Sequence, residues 1–234
     1  SVYDHLSRAS SLPQPIRGDT GQRQVQRLFQ AELQYARPVG AHLLDIGAQV
    51  RRDDTRSVRI PGGRRGITTI EPMAQLELNL GSALALVTGM RVSHSDRWGT
   101  HATPRVALRQ RLMDGLTLRA SVGSGFRAPD FRELYMRFQN QTVGYAVQGN
   151  ESLRPETSRN ATVGAELVRA RGFARAQLFW NEFLVFIVTR IISAPDDPPL
   201  YEYGNVDNGF TRGLELEGGV VLAGLRAGAG LPLL

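Results

Sequence analysis

The chain has 234 residues, no cysteine and a formal charge of +6. That length holds one large β domain or two small ones, and the lack of cysteine excludes disulfides and thiolate metal sites. All 28 basic residues are arginine, spread from Arg8 to Arg226 rather than gathered on one face among aromatics, which argues against a nucleic-acid partner.

The chain opens on SVYDHLSRASSLPQPIRGDTGQ, which reads as loop with no basic-then-apolar leader. No apolar run reaches the roughly 18 residues of a transmembrane helix. From there on, period-two patterning dominates, and it predicts strands over 22–36, 41–52, 66–80, 83–93, 103–112, 116–124, 156–169, 173–190, 208–220 and 224–232. In 41–52, Leu44, Ile46 and Val50 alternate with Asp45 and Gln49. In 66–80, Leu76, Leu78 and Leu80 alternate with Gln75, Glu77 and Asn79. In 103–112, Val106, Leu108 and Leu112 oppose Arg105, Arg109 and Arg111, and in 208–220 Leu214 and Leu216 oppose Glu215 and Glu217. Such alternation marks strands with one apolar and one polar face.

The links between these strands alternate as well. RPVG, GS, MDG, ARG and VLA are tight, whereas the intervening links, such as DDTRSVRIPGGRR and IISAPDDPPLYEYGNVD, are long. In an up-and-down sheet this puts every tight turn at one end and every long loop at the other, as in an outer-membrane barrel. A soluble Greek-key sandwich spreads its long connections over both ends, and soluble β remains the alternative on pattern alone. Charged residues in mid-strand, among them Glu77, Arg109, Arg119, Glu166 and Glu215, then face either solvent or a polar lumen. Trp98, Trp180 and Tyr35 are candidates for an interfacial aromatic girdle or for ordinary packing.

Catalytic signals are weak. Gly123-Ser124-Gly125 is too tight for a nucleophile elbow, and no amphipathic helix follows it. Nothing local holds Asp130 and Glu133 as an acid/base pair, and PGGRRG lacks the spacing and the lysine of a phosphate loop. His5, His42, His94 and His101 are scattered, so no catalytic residue, metal site or cofactor is expected.

The stretch LTLRASVGSGFRAPDFRELY, followed by GNESLRPETSRNATVGAELV, resembles the TonB-dependent outer-membrane receptors. The resemblance rests on Arg119, Ser121, Gly125, Phe126, Arg127, Ala128, Pro129, Glu133, Leu134 and Tyr135, then on Gly149, Asn150, Leu153, Pro155, Glu156 and Ser158. It extends in order over about residues 100–220, while 20–95 fit through their strand pattern. It implies an all-β, antiparallel up-and-down transmembrane β-barrel segment, about ten strands of a roughly twenty-two-stranded barrel. Residues 1–234 are then expected to be part of a barrel domain, without the plug domain and the C-terminal strands.

The same resemblance implies a receptor in the cell outer membrane that imports a scarce nutrient, most readily a ferric siderophore. Its expected partners are the TonB–ExbB–ExbD energy system acting through an N-terminal plug, an iron chelate, and outer-membrane lipid and lipopolysaccharide. Haem or cobalamin receptors of the same family, a passive porin or adhesive barrel, and a soluble β-rich binding domain are the alternatives. Haem receptors carry a histidine between the two boxes, and residues 130–149 contain none, although His94 and His101 lie on the preceding long loop. Glu151 and Ser152 also depart from the second box.

The candidate ligand residues lie on the long loops: Arg127, Arg132, Tyr135, Arg137 and Gln139 on one, and Arg52, Arg56, Arg59, Arg64 and Arg65 on another. Guanidinium groups there suit an anionic chelate through charge-assisted hydrogen bonds. GFRAPDFRELY itself reads as a joint, with Pro129 ending the ladder and Phe126, Phe131 and Tyr135 anchoring the loop that follows.

Overall fold

The computed structural model describes residues 2–7, 24–57, 60, 62–140, 142–222 and 225–233. Its strands are β1 (Val2–Ser7), β2 (Gln24–Val39), β3 (His42–Arg56), β4 (Arg64–Leu80), β5 (Leu84–Ser95), β6 (Gly99–Met113), β7 (Leu116–Arg127), β8 (Arg137–Asn140), β9 (Tyr145–Gln148), β10 (Glu156–Arg169), β11 (Gly172–Ile191), β12 (Leu200–Leu222) and β13 (Leu225–Leu233), with one short helix, α1 (Phe131–Tyr135). They form a single sheet in which β1 to β7 pair in sequence order, β7 then pairs with β10, and β10, β11, β12 and β13 continue the run. All of these pairings are antiparallel; β9 joins the outer end of β12 in parallel through Leu200–Glu202.

Each expected strand over 22–232 is present, and the long links all fall at one end, but the β5–β6 link, expected to be long, is only 96–98 because both strands extend outward to Ser95 and Gly99. The connections at 40–41, 81–83, 114–115 and 170–171 are tight, while 57–63, 96–98, 128–155 and 192–199 form the opposite rim. Gly115, at φ +73°, turns between β6 and β7 with its α-carbon against the Val168 carbonyl, where a Cβ would stand 2.1 Å from that oxygen. The link at 223–224 lies outside the described residues.

Three further expectations need correction. Residues 2–7, read as loop, pair with β2 from Val2↔Phe29 to Ser7↔Gln24. The strand expected at 208–220 begins at Leu200, because β11 continues outward and supplies partners as far as Ile191↔Tyr201. Its Gly204, Asn205 and Asp207 look like loop residues, yet they sit in register opposite Val188, Ile187 and Val185. The segment after β7, read as a long external loop, holds α1 and the β8–β9 hairpin.

Cross-strand registers sort the two faces. One face carries Leu33, Ile46, Ala74, Met90, Val106, Val122, Val163, Leu178 and Leu216; several stand wide open, Leu33 at 76%, Val122 at 55% and Leu178 at 54% exposure. A water-soluble sheet buries such a face against a second layer, and among the described residues none covers it. The other face is polar and hydrogen-bonded: Gln34 Nε2 donates to Asp45 (2.8 Å), Ser93 to Glu71, and the hydroxyls of Ser121 and Thr162 meet at 2.8 Å. Arg119, Glu166, Arg175 and Glu217 form a ladder across β7, β10, β11 and β12, with contacts of 3.1, 2.8 and 3.1 Å. Trp180 and Tyr35 lie on the apolar face, at 42% and 54% exposure. Trp98 does not: it packs into the rim.

Candidate functional site at the loop rim

Apart from Ala85 beside the tight β4–β5 turn, the buried apolar side chains of this wall gather at the end that carries the long connections. Ile60, Phe131, Leu134, Tyr135 and Leu153 form one cluster, with Ile67, Trp98, Ile187 and Tyr203 packed against it. Leu134 and Tyr135 are 1% and 3% exposed. The cluster exists because α1 turns back onto the rim. Asp130 caps it, accepting from the Glu133 amide (2.8 Å), and the Glu133 carboxylate accepts from the Asp130 amide (2.8 Å). This reciprocal box satisfies amides that a helix start leaves free.

Arg127, the last residue of β7, locks that turn to the next strand. Its two terminal nitrogens donate to both oxygens of Glu133 at 3.0 and 2.9 Å, and its Nε donates to Glu156 at the head of β10. Such fork-shaped pairing is the strong form of an ion pair. The Arg127 guanidinium holds Glu156 below the usual carboxylate range, with the Ile187 amide adding to the effect and burial opposing it. In return Glu156 and Glu133 raise the pKa of Arg127 further above its already high ordinary value.

The return of the segment is fixed as firmly. Gly149 passes so close to α1 that a Cβ would meet the Leu134 carbonyl carbon and the Tyr135 amide nitrogen at 2.5 Å. Asn150 Nδ2 donates to the Tyr203 carbonyl (3.0 Å) and its amide to the Glu133 carbonyl (2.8 Å). The Arg154 amide donates to the Asn205 side chain (2.7 Å), which donates back to the Arg154 carbonyl (2.9 Å), and Arg154 pairs with Asp207 at 2.7 Å. At Gly125 a Cβ would stand 2.5 Å from the Ser158 hydroxyl. Phe126 stacks on His101, ring centroids 4.1 Å apart. Pro129 is buried, and Ala128 and Pro155 are half-buried.

The candidate ligand residues therefore divide. Arg127 is engaged by two carboxylates and Tyr135 is buried, whereas Arg132, Arg137 and Gln139 are exposed at the rim. On the neighbouring connection Arg52 and Arg64 share Asp54 at 3.1 and 3.3 Å. Arg65 lies over the Tyr135 ring, 5.2 Å from its centroid. Arg56 is exposed and Arg59 lies outside the described residues. His94 and His101 are occupied locally, by Thr100 (2.8 Å) and by the Trp98 carbonyl (2.9 Å).

Sequence reasoning missed Arg97. Its guanidinium donates to the Tyr135 hydroxyl and to the Glu151 carbonyl (2.9 Å), and lies 4.8 Å from the Trp98 ring centroid. The one local signal was an Arg-Trp pair in an otherwise polar loop. Ile60, Tyr203 and Asn205 also escaped notice, since Tyr203 and Asn205 reach the rim through their pairing with β11 and Ile60 through the β3–β4 connection.

An open apolar outer face, a polar hydrogen-bonded inner face, tight turns at one end and an ordered rim at the other define a transmembrane β-barrel wall. The chain belongs to the TonB dependent receptor-like, beta-barrel family, whose match runs over residues 2–231. It is therefore an outer-membrane protein of a family of receptors and transporters, not enzymes. It is 30% identical over 152 residues to the iron-regulated outer membrane virulence protein of Vibrio cholerae, covering 62% of this chain and 23% of that protein. It is 26% identical over 154 residues to the ferrienterobactin receptor of Escherichia coli K12, covering 61% and 21%. The vitamin B12 transporter BtuB of Vibrio vulnificus is 30% identical over 129 residues, covering 55% and 19%. Among solved structures, the siderophore receptor PirA of Pseudomonas aeruginosa superposes with a TM-score of 0.79 at 18% identity, over 91% of this chain and 44% of that one. The chain thus spans about a fifth of the length of the curated relatives it matches.

Proposed function

We propose that the chain is the portion of a TonB-dependent barrel that carries a ligand-facing rim, and that the whole receptor imports a ferric siderophore. The observation that carries this reading is the exposure of Arg132, Arg137 and Gln139 on a segment held rigid by the Arg127–Glu133–Glu156 clamp. Pre-ordered cationic side chains raise the local concentration of an anionic chelate and bind it with little further ordering cost. The likeness to a ferrienterobactin receptor supports the same choice of ligand. A cobalamin ligand is the second reading, supported by the likeness to BtuB. In this proposal residues 1–234 are part of the barrel domain, and a plug carrying the contact to TonB–ExbB–ExbD, together with the remaining strands, belongs to the rest of the protein.

The test uses the full-length receptor in outer-membrane vesicles. Substituting Arg132 and Arg137 together by glutamine is expected to weaken binding of a tri-anionic ferric tris-catecholate about 10–100-fold, and less so at high salt. Unchanged affinity defeats the assignment, and binding of cyanocobalamin but not of the chelate favours the second reading.

A further inference from the structure

Three connections from distant parts of the chain meet at one ring. The β3–β4 connection contributes Ile60 to the cluster around Tyr135, and β4 lays Arg65 over its ring. The β5–β6 connection contributes Arg97 and Trp98. The segment between β7 and β10 contributes Tyr135 on its outgoing side and Glu151 on its return. Arg97 alone of these side chains donates hydrogen bonds to both sides of that segment while stacking on its own loop's tryptophan.

Its environment excludes the ordinary roles of a surface arginine. Arg97 forms no ion pair with a carboxylate among the described residues, so it does not serve to neutralise charge. Its Nε is buried without a hydrogen-bond partner, as is the Trp98 Nε1. A buried donor left unmet is costly, and such a cost persists where the geometry of the other contacts is demanded by something else. What it obtains here is a planar fork that reaches a hydroxyl and a carbonyl at once, between two aromatic faces. Lysine has neither the fork nor the plane. The connection that bears Arg97 is itself fastened to β4, since the Asp96 carboxylate accepts from the Thr68 amide (3.3 Å) and the Asp96 amide donates to the Thr68 carbonyl (3.4 Å).

We propose that Arg97 is the positioning residue of the rim: it fastens the β5–β6 connection to both sides of the β7–β10 segment, and through Tyr135, over which Arg65 lies and around which Ile60 packs, the β3–β4 connection shares the same mechanical unit, so that a ligand held by any of them is felt by all three. Coupling of this kind is carried by packed side chains and hydrogen-bond networks. The cluster supplies the network and the guanidinium supplies the fastening. The ligand arm of the test rests on the siderophore reading; the ligand-free arm does not.

The test is hydrogen exchange on the full-length receptor, comparing wild type with Arg97→Gln and Arg97→Lys. Without ligand, amides in 131–136 and 149–153 are expected to exchange about tenfold faster in both variants, while mid-strand amides of β6, β7 and β10 keep their protection. Tyr135→Phe, which removes only the hydroxyl, is the milder variant and is expected to give part of the same loss. With a ferric tris-catecholate added, wild type is expected to gain protection in 62–66, 96–99, 131–136 and 149–153 together, and Arg97→Gln only in the segments that touch the ligand. Unchanged exchange in the ligand-free variants, or an undiminished joint response in Arg97→Gln, overturns the proposal. If the chelate fails to bind wild type, the siderophore reading falls and the ligand-free comparison still decides the role of Arg97.

Discussion

Arg127 and Glu156 face each other where β7 and β10 leave the sheet, Glu156↔Arg127 being the outermost pair of that ladder. Glu156 also accepts from the Ile187 amide (2.8 Å), so one carboxylate ties β7, β10 and β11 together. Its pKa in the folded protein is depressed, chiefly by the hydrogen bond from Arg127, below the ordinary 4.5. A group with a depressed folded pKa binds protons more readily in the unfolded chain. Its contribution is therefore complete above pH 4.5 and is lost as pH falls through the depressed folded value. Arg127 stays charged throughout and adds no pH dependence of its own. The expected outcome is that amides of 130–136 lose protection on acidification below about pH 4.5, and that Glu156→Gln shows the loosened state already at neutral pH with a flattened acid response. An acid profile identical in wild type and Glu156→Gln removes Glu156 as its source.

At the scale of the strand, the two faces make opposite demands on neighbouring positions. Val163 stands on the apolar face, 52% exposed, while Thr162 next to it points the other way and meets Ser121. Arginine in place of Val163 puts a charge into hydrocarbon, which costs about 2–4 kcal/mol near the bilayer midplane. Arginine in place of Thr162 enters a hydrated face already populated by Arg119 and Arg175 and is expected to cost less than about 1 kcal/mol beyond the lost hydroxyl bond. Folding titrations of the full-length receptor into lipid vesicles measure the difference, and equal costs at the two positions contradict the face assignment.

The same alternation explains how much of the wall was legible in advance. Period-two patterning is local, and in β3, β4, β6 and the inner half of β12 it located strands to within a few residues. The outer half of β12 was missed because Gly204, Asn205 and Asp207 carry no alternation; their extended course comes from β11 across the ladder. α1 was missed because five residues make little more than one helical turn, too short for an amphipathic period. The motif residues of the rim were legible as a joint, but their partners were not. Arg97 and Tyr135 stand 38 residues apart and Asn150 and Tyr203 stand 53 apart, and no local pattern encodes contacts of that range. Exposure was equally invisible, and it separates Arg132 and Arg137 from the buried Tyr135 among residues that looked alike in the sequence.

Across the whole molecule the wall is polarised along its strands. At one end the links are two or three residues long and bury almost nothing; at the other, side chains from the connections build the hydrophobic cluster. Outer-membrane barrels place the short turns on the periplasmic side and the long loops outside. β11 and β12, at 20 and 23 residues, exceed the roughly 9–11 needed to cross a bilayer at a tilt, so their excess length lies beyond the membrane on the rim side. Two exposed residues test this orientation. Val143, 71% exposed at the tip of the β8–β9 hairpin, belongs to the rim, and Ser82 to the tight turn between β4 and β5. These 234 residues contain no cysteine, so Val143→Cys and Ser82→Cys each add one thiol to this part of the receptor. A membrane-impermeant maleimide applied to intact cells is expected to label Val143→Cys readily and Ser82→Cys only after the outer membrane is breached. Labelling of Ser82→Cys from outside, with Val143→Cys protected, inverts the orientation and takes the ligand-facing rim with it, because Arg132, Arg137 and the Arg97 fastening would then face the periplasm.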